Sequence, residues 1–160
     1  MRALLQRVRS ASVEIEGERT ALIGHGLLVF LGVTHTDSPD DVAWLAGKIS
    51  RLRIFEDDQG KMNRSVTDSG GAVLVVSQFT LYADTRRGNR PGFDQAAPPD
   101  LANTLYESLC SALRDQGLPV STGRFAADMQ VCLQNDGPVT ILIDSSERTL
   151  SRKQRHEEAL

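Results

Sequence analysis

Ala72-Val73-Leu74-Val75-Val76-Ser77-Gln78-Phe79-Thr80-Leu81 is the strongest buried-strand signal in the chain. Its apolar half has no polar alternation and is rich in valine, which suits a strand covered on both faces. Gly70-Gly71 breaks the chain ahead of it. Leu27-Leu28-Val29-Phe30-Leu31-Gly32-Val33, entered through the turn Gly24-His25-Gly26, has the same character. Two strands buried on both faces need neighbouring strands at their edges and helices over them.

Both are present. Ala11, Val13 and Ile15 alternate with Ser12, Glu14 and Glu16, the mark of a half-buried strand. Gly17 breaks it, and Thr20-Ala21-Leu22-Ile23 follows. Late in the chain, Met129, Val131 and Leu133 lie opposite Gln130, Cys132 and Gln134, and Thr140-Ile141-Leu142-Ile143 forms a further strand. Ser38 as N-cap, Pro39 at the first helical position and Asp40-Asp41 in the first turn open a helix. Val42, Leu45, Ala46, Ile49 and Leu52 mark its inner face. A second helix starts near Asp100, buries Leu101, Leu105, Leu109, Ala112 and Leu113, and stops at Gly117. Arg53-Ile54-Phe55 leads into the turn Glu56 to Gly60, and Met62 to Asp68 reads as a loop or short edge element.

The expected fold is α+β and single-domain. Mixed or antiparallel sheets form a layered or barrel-like core, with two main helices packed on it. Residues 1–144 are the domain. Residues 145–160 are a polar tail, rich in Arg, Lys and Glu, with no role in the core.

A length of 160 residues fits one domain with a real core. No run approaches the ~20 apolar residues of a membrane span, and Met1-Arg2-Ala3-Leu4-Leu5 is not a signal peptide, so a cytoplasmic protein is expected. The net charge of −3 argues against wholesale nucleic-acid binding, though not against a local basic patch. One such patch is Thr85-Arg86-Arg87-Gly88-Asn89-Arg90-Pro91-Gly92-Phe93, either a solvated loop or a contact surface. Cys110 and Cys132 have no metal-type spacing and read as reduced packing residues.

Familiar catalytic signatures are missing. His25, His35 and His156 have no nucleophile or carboxylate at motif spacing. There is no phosphate-binding loop and no cluster with metal spacing. Asp40-Asp41 and Asp57-Asp58 read as cap and turn residues. What remains is Ser77-Gln78-Phe79-Thr80, three polar side chains closing an apolar strand, either a site or a strand emerging into solvent. A second string, Asn135-Asp136-Gly137-Pro138-Val139-Thr140, sits between two apolar alternating segments. Proline fixes φ and glycine admits angles that other residues avoid. Such a corner can present bare carbonyl oxygens to a ligand, or it can be an ordinary turn.

Taken together, in this order and at this separation, the two strings resemble the D-aminoacyl-tRNA deacylases, also called D-tyrosyl-tRNA deacylases. The resemblance runs from Met1 to about Ile143 and includes Leu5-Gln6-Arg7-Val8, Gly26 to Val33, Arg53-Ile54-Phe55 with Gly60-Lys61-Met62-Asn63, and Thr122-Gly123-Arg124-Phe125 with Ala127-Asp128-Met129. It implies a homodimer that hydrolyses the ester joining a D-amino acid to the 3′ end of tRNA, without a metal or other cofactor. It implies that the Gly137-Pro138 bond is cis and that this corner of one subunit enters the active site of the other, where it reads chirality. Ser77, Gln78, Phe79 and Thr80 would line the pocket, with an oxyanion donor among the N–H groups of Phe79 and Thr80. Arg7 would hold the corner, Met129 would lie near the pocket wall, and Asn135 would support the site. The terminal 2′-hydroxyl of the tRNA would assist water, which accounts for the missing base. Arg86, Arg87 and Arg90 are candidate contacts to the tRNA backbone. Two alternatives remain open: a small-ester hydrolase using Ser77 or Thr80 as nucleophile, and a non-catalytic RNA-binding module.

Overall fold

The computed structural model describes residues 1–149. Eight strands and two α-helices follow one another in these residues: β1 (Arg2–Ile15), β2 (Glu18–Ile23), β3 (Gly26–Gly32), α1 (Pro39–Arg51), β4 (Phe55–Glu56), β5 (Met62–Arg64), β6 (Ala72–Ser77), α2 (Pro99–Asp115), β7 (Val120–Thr122) and β8 (Gln130–Asp144). The main sheet has the order β2-β1-β3-β6-β7, with β8 also paired to β1, and β4 and β5 form a separate hairpin. The contacts of β1 with β2, β3 and β8 are antiparallel, whereas β3-β6 and β6-β7 are parallel. This is the expected α+β arrangement, with a strongly curled mixed sheet.

The two apolar runs lie between two cores. Leu27, Val29 and Leu31 on β3, with Val73 and Val75 on β6, face a core shared with Leu45 and Ile49 of α1 and Leu105, Leu109 and Leu113 of α2. The alternate residues Leu28, Leu74 and Val76 face a second core, with Val8, Ala11 and Val13 of β1. Strands buried on both faces carry no polar alternation, which is why these runs read so clearly. Helix α1 begins as its residues dictate: the carboxylate of Asp41 accepts a hydrogen bond from the Ser38 N–H at 2.9 Å. Burial pushes the Asp41 carboxyl up, but hydrogen bonds from Ser145, Arg148 and Ser38 outweigh this and bring it to about 2.

Four expectations need correction. β6 ends at Ser77 and not at Leu81, because the chain turns into a 3-10 helix at Phe79–Tyr82. β1 begins at Arg2, well ahead of the alternation at Ala11. The two late strands are one, β8, which pairs with β1 on both sides of the Gly-Pro string. The tail does reach the core at its start: Ser145 is buried, its N–H donates to the Met1 carbonyl at 2.8 Å, and Ser145–Thr149 form a 3-10 turn. The remainder of the expected tail, 150–160, and His156 with it, lies outside the described residues.

Candidate active site

Where β6 ends, the Gln78 N–H donates to the Leu31 carbonyl at 2.7 Å and the chain folds over β3. Gly32 permits this approach, since a Cβ there would lie 3.0 Å from Leu81 Cβ and 3.2 Å from the Gln78 carbonyl oxygen. The first bonded N–H of the 3-10 turn is that of Leu81, to Gln78 at 3.2 Å. Those of Phe79 and Thr80 come ahead of it, as at any helix start. The Gln78 side-chain amide donates to the Thr80 hydroxyl.

Beside this turn lies a cavity of about 730 Å³. Leu31 and Val76 come from the sheet, Val33 from just past the end of β3, Phe125, Met129 and Val131 from the segment entering β8, and Ala97 to Pro99 with Ala102 from the start of α2. Ser77, Gln78 and Phe79 stand on its lining, and so does Met129. Thr80 is not on the lining: it is exposed, one step along the turn. Phe79, 55% exposed, meets Phe93 edge-on with ring centroids 5.0 Å apart. Phe93 closes the basic segment, and nothing in the composition of that segment marks it as a wall of the cavity. Among the described residues, Asp128 is the only ionisable side chain on the lining. Among those residues, too, neither Ser77 nor Thr80 has a histidine or carboxylate as a hydrogen-bond partner, so neither hydroxyl has a base to activate it. No group of three or more His, Cys, Asp or Glu among the described residues comes together to hold a metal.

The Gly-Pro string makes a different structure. Val8 pairs with Asn135 and Gln6 with Thr140, so the four residues Asp136 to Val139 bulge out opposite the single residue Arg7. Arg7 lies beneath them and is 5% exposed. Its Nε donates to the Asp136 carbonyl at 2.9 Å, and its Nη1 to the Ile54 carbonyl at 2.7 Å. Asn135 closes the bulge from one end, accepting from the Val139 N–H at 3.0 Å and donating to the Thr140 hydroxyl at 3.0 Å. The Gly137-Pro138 peptide is cis. Gly137 has φ +133°, and a Cβ on it would lie 2.9 Å from Val139 Cγ2 and 3.1 Å from Arg7 Nη2. Glycine is therefore required twice over, by backbone angle and by space. Gly137 and Pro138 are both exposed and line no part of this cavity. Val131, on the cavity wall, is six residues back along β8, about 20 Å of extended chain.

The basic segment is a closed loop. Asp84 and Gly92 exchange backbone hydrogen bonds of 2.8 and 2.9 Å, so its base is fixed. Arg86 is engaged with Asp84 through contacts of 2.9 and 2.7 Å. Hydrogen bonds from Arg86 hold the Asp84 carboxyl down at about 2. Arg87 and Arg90 are exposed and make no ion pair among the described residues.

The fold and site define an α+β chain with an apolar recess at a strand end and a braced backbone corner elsewhere. The family follows from comparison with known proteins. The family model described as D-Tyr-tRNA(Tyr) deacylase matches residues 4–144. Proteins named D-aminoacyl-tRNA deacylase are similar over nearly their whole length. That of Chlorobaculum tepidum is 58% identical, covering 92% of this chain and 99% of its own. That of Anaeromyxobacter dehalogenans is 61% identical, covering 91% and 97%. Among solved structures, one named c-Myc DNA Unwinding Element Binding Protein superposes with a TM-score of 0.85 at 42% identity, covering 90% of this chain and 98% of that one. Another, of a probable eukaryotic D-amino acid tRNA deacylase, has a TM-score of 0.75 at 17% identity over 89% and 98%, a likeness of fold alone. The chain belongs to the D-Tyr-tRNA(Tyr) deacylase family. Among the described residues no helix is long and apolar enough to cross a membrane.

Proposed function

We propose that this chain is a cytoplasmic D-aminoacyl-tRNA deacylase working as a homodimer, in which the Gly137-Pro138 corner of one subunit completes the cavity of the other. Water attacks the ester carbonyl, the bond to the ribose 3′-oxygen breaks, and that oxygen takes a proton, freeing the D-amino acid and the tRNA. The observation that carries this reading is the split between an exposed, tightly braced corner and an apolar cavity that the same subunit leaves without it. β8 also favours pairing between subunits. It is an edge strand of 15 residues, with Leu133 38% and Leu142 55% exposed.

The chemistry fits such a site. An aminoacyl ester is already activated, so orientation and electrostatics suffice. The N–H groups of Phe79 and Thr80 supply the oxyanion donors, and the terminal 2′-hydroxyl of the tRNA assists the water. Chirality is read by exclusion. A rigid pair of carbonyls set against Cα leaves room for hydrogen on that side and for no side chain, so L-substrates are refused while many D-side chains are accepted. Glycine passes the same filter, so glycyl-tRNA carried by a non-cognate tRNA is also cleaved. Arg87 and Arg90, with Arg86 held to Asp84, face the phosphates of the tRNA strand leading to the cavity.

The test is release of D-tyrosine from D-tyrosyl-tRNA with L-tyrosyl-tRNA left intact. Equal hydrolysis of both contradicts the exclusion argument. Substrate ending in 2′-deoxyadenosine is expected to be nearly inert; full turnover would return Thr80 or Ser77 to the role of nucleophile. The solved structure 42% identical to this chain carries the name of a DNA-binding protein, which favours a second reading, a nucleic-acid-binding module. Tight tRNA binding without any deacylation would select it.

A further inference from the structure

Gly123 stands in the string Thr122-Gly123-Arg124-Phe125, directly after β7, and takes no part in the chemistry proposed above. Its backbone is fixed. Its N–H donates to the Val75 carbonyl at 3.1 Å, and the buried Tyr106 hydroxyl donates to the same carbonyl at 3.0 Å. Its φ lies outside the left-handed region, so the position does not call for glycine on backbone grounds. What a side chain there would meet is Met129. A Cβ built there lies 2.6 Å from Met129 Sδ, 3.6 Å from Met129 Cε and 3.8 Å from Val76 Cγ2. Met129 and Val76 both line the cavity.

We infer that Gly123 is a positioning residue: it is the seat into which Met129 withdraws, and so sets how much of the cavity is open to the substrate. Any side chain at 123 meets the Met129 thioether first. Methionine is unbranched and flexible, so the side chain yields and the backbone does not. With the seat filled, the open direction is the cavity. The change therefore narrows the recess without unfolding the protein. This inference rests on the deacylase reading for its kinetic consequence, but not for its geometry.

Gly123→Ala, Met129→Ala and the double variant test it, with D-tyrosyl-tRNA as substrate and with ¹³C-methyl-labelled methionine observed by NMR. Gly123→Ala is expected to raise KM about tenfold with kcat changed less than about twofold, since a wall is displaced and not the reacting groups. Its thermal midpoint should fall by no more than about 4 °C. In the Met129→Ala background the same change should cost nothing further, because the colliding atoms are gone. A wild-type KM in Gly123→Ala, or losses that multiply in the double variant, overturns the inference. Should the unaltered chain prove inactive, the deacylase reading falls, and the Met129 methyl resonance decides the rest. A displaced resonance in Gly123→Ala upholds the seat, and an unmoved one refutes it.

Discussion

The Gly137-Pro138 corner and the apolar cavity share strand β8 and are built in opposite ways. The corner is exposed backbone, held from below by polar side chains: Arg7 grips two carbonyls, and Asn135 bridges the N–H of Val139 and the hydroxyl of Thr140. The cavity is a recess of apolar side chains; among the described residues its polar side chains are Ser77 and Gln78 at the lip and Asp128. Backbone groups braced by hydrogen bonds keep their place, while side chains around a recess rearrange when volume changes. In the proposed function, distinguishing two hands at one carbon calls for the first kind of construction, and accepting a large substrate calls for the second.

Substitutions separate the two constructions. The largest effect is expected for Arg7→Ala, which leaves the carbonyls of Asp136 and Ile54 without their buried donor. Unfolding in urea should show a loss of about 3 kcal/mol, and D over L discrimination should collapse. Arg7→Lys should not restore it, since one ammonium cannot replace a planar fork reaching two acceptors. Gly137→Ala comes next. It forces a Cβ against Val139 and Arg7 at a left-handed φ, and should lower turnover of D-tyrosyl-tRNA about a hundredfold for roughly 1–2 kcal/mol of stability. Thr80→Val, at the cavity rim, is expected to cost less than about tenfold, since the hydroxyl only accepts from Gln78. A loss as large as that at Gly137 would move the chemistry from the substrate to the protein. The smallest effect is expected for Arg87→Ala and Arg90→Ala, a rise in KM of about threefold each at low salt, fading as salt is raised, with kcat unchanged.

How far the sequence reveals each region follows from the same difference. Both faces of β3 and β6 are buried, so their apolar runs stand out, and Ser38-Pro39 with Asp41 marks the start of α1 plainly. The end of β6 is less legible, because Phe79 and Leu81 continue an apolar alternation, and only the Leu31 carbonyl and the space above Gly32 bend the chain after Ser77. The first half of β1 is obscured by Arg7, a cation in the buried phase of Ala3, Leu5 and Arg7. β8 is hidden by its own corner, since Gly-Pro normally ends a strand. Only the pairing of Val8 with Asn135 and Gln6 with Thr140 shows that the strand resumes. The residues of both motifs are legible through family resemblance. The place of Thr80 off the lining, the part of Phe93 in the wall and the seat at Gly123 are not, because they depend on contacts between segments far apart in sequence.

If each cavity is completed by the corner of the other subunit, mixing two crippled chains restores activity. One carries Gly137→Ala, which spoils the corner, and the other Ala102→Phe, which fills the cavity; each alone should be nearly inactive on D-tyrosyl-tRNA. Co-refolded in equal amounts, half the dimers are mixed, and each of these has one site with both defects and one site with neither. Recovery to about one quarter of wild-type activity is expected. Activity no greater than the sum of the two variants measured apart would contradict it.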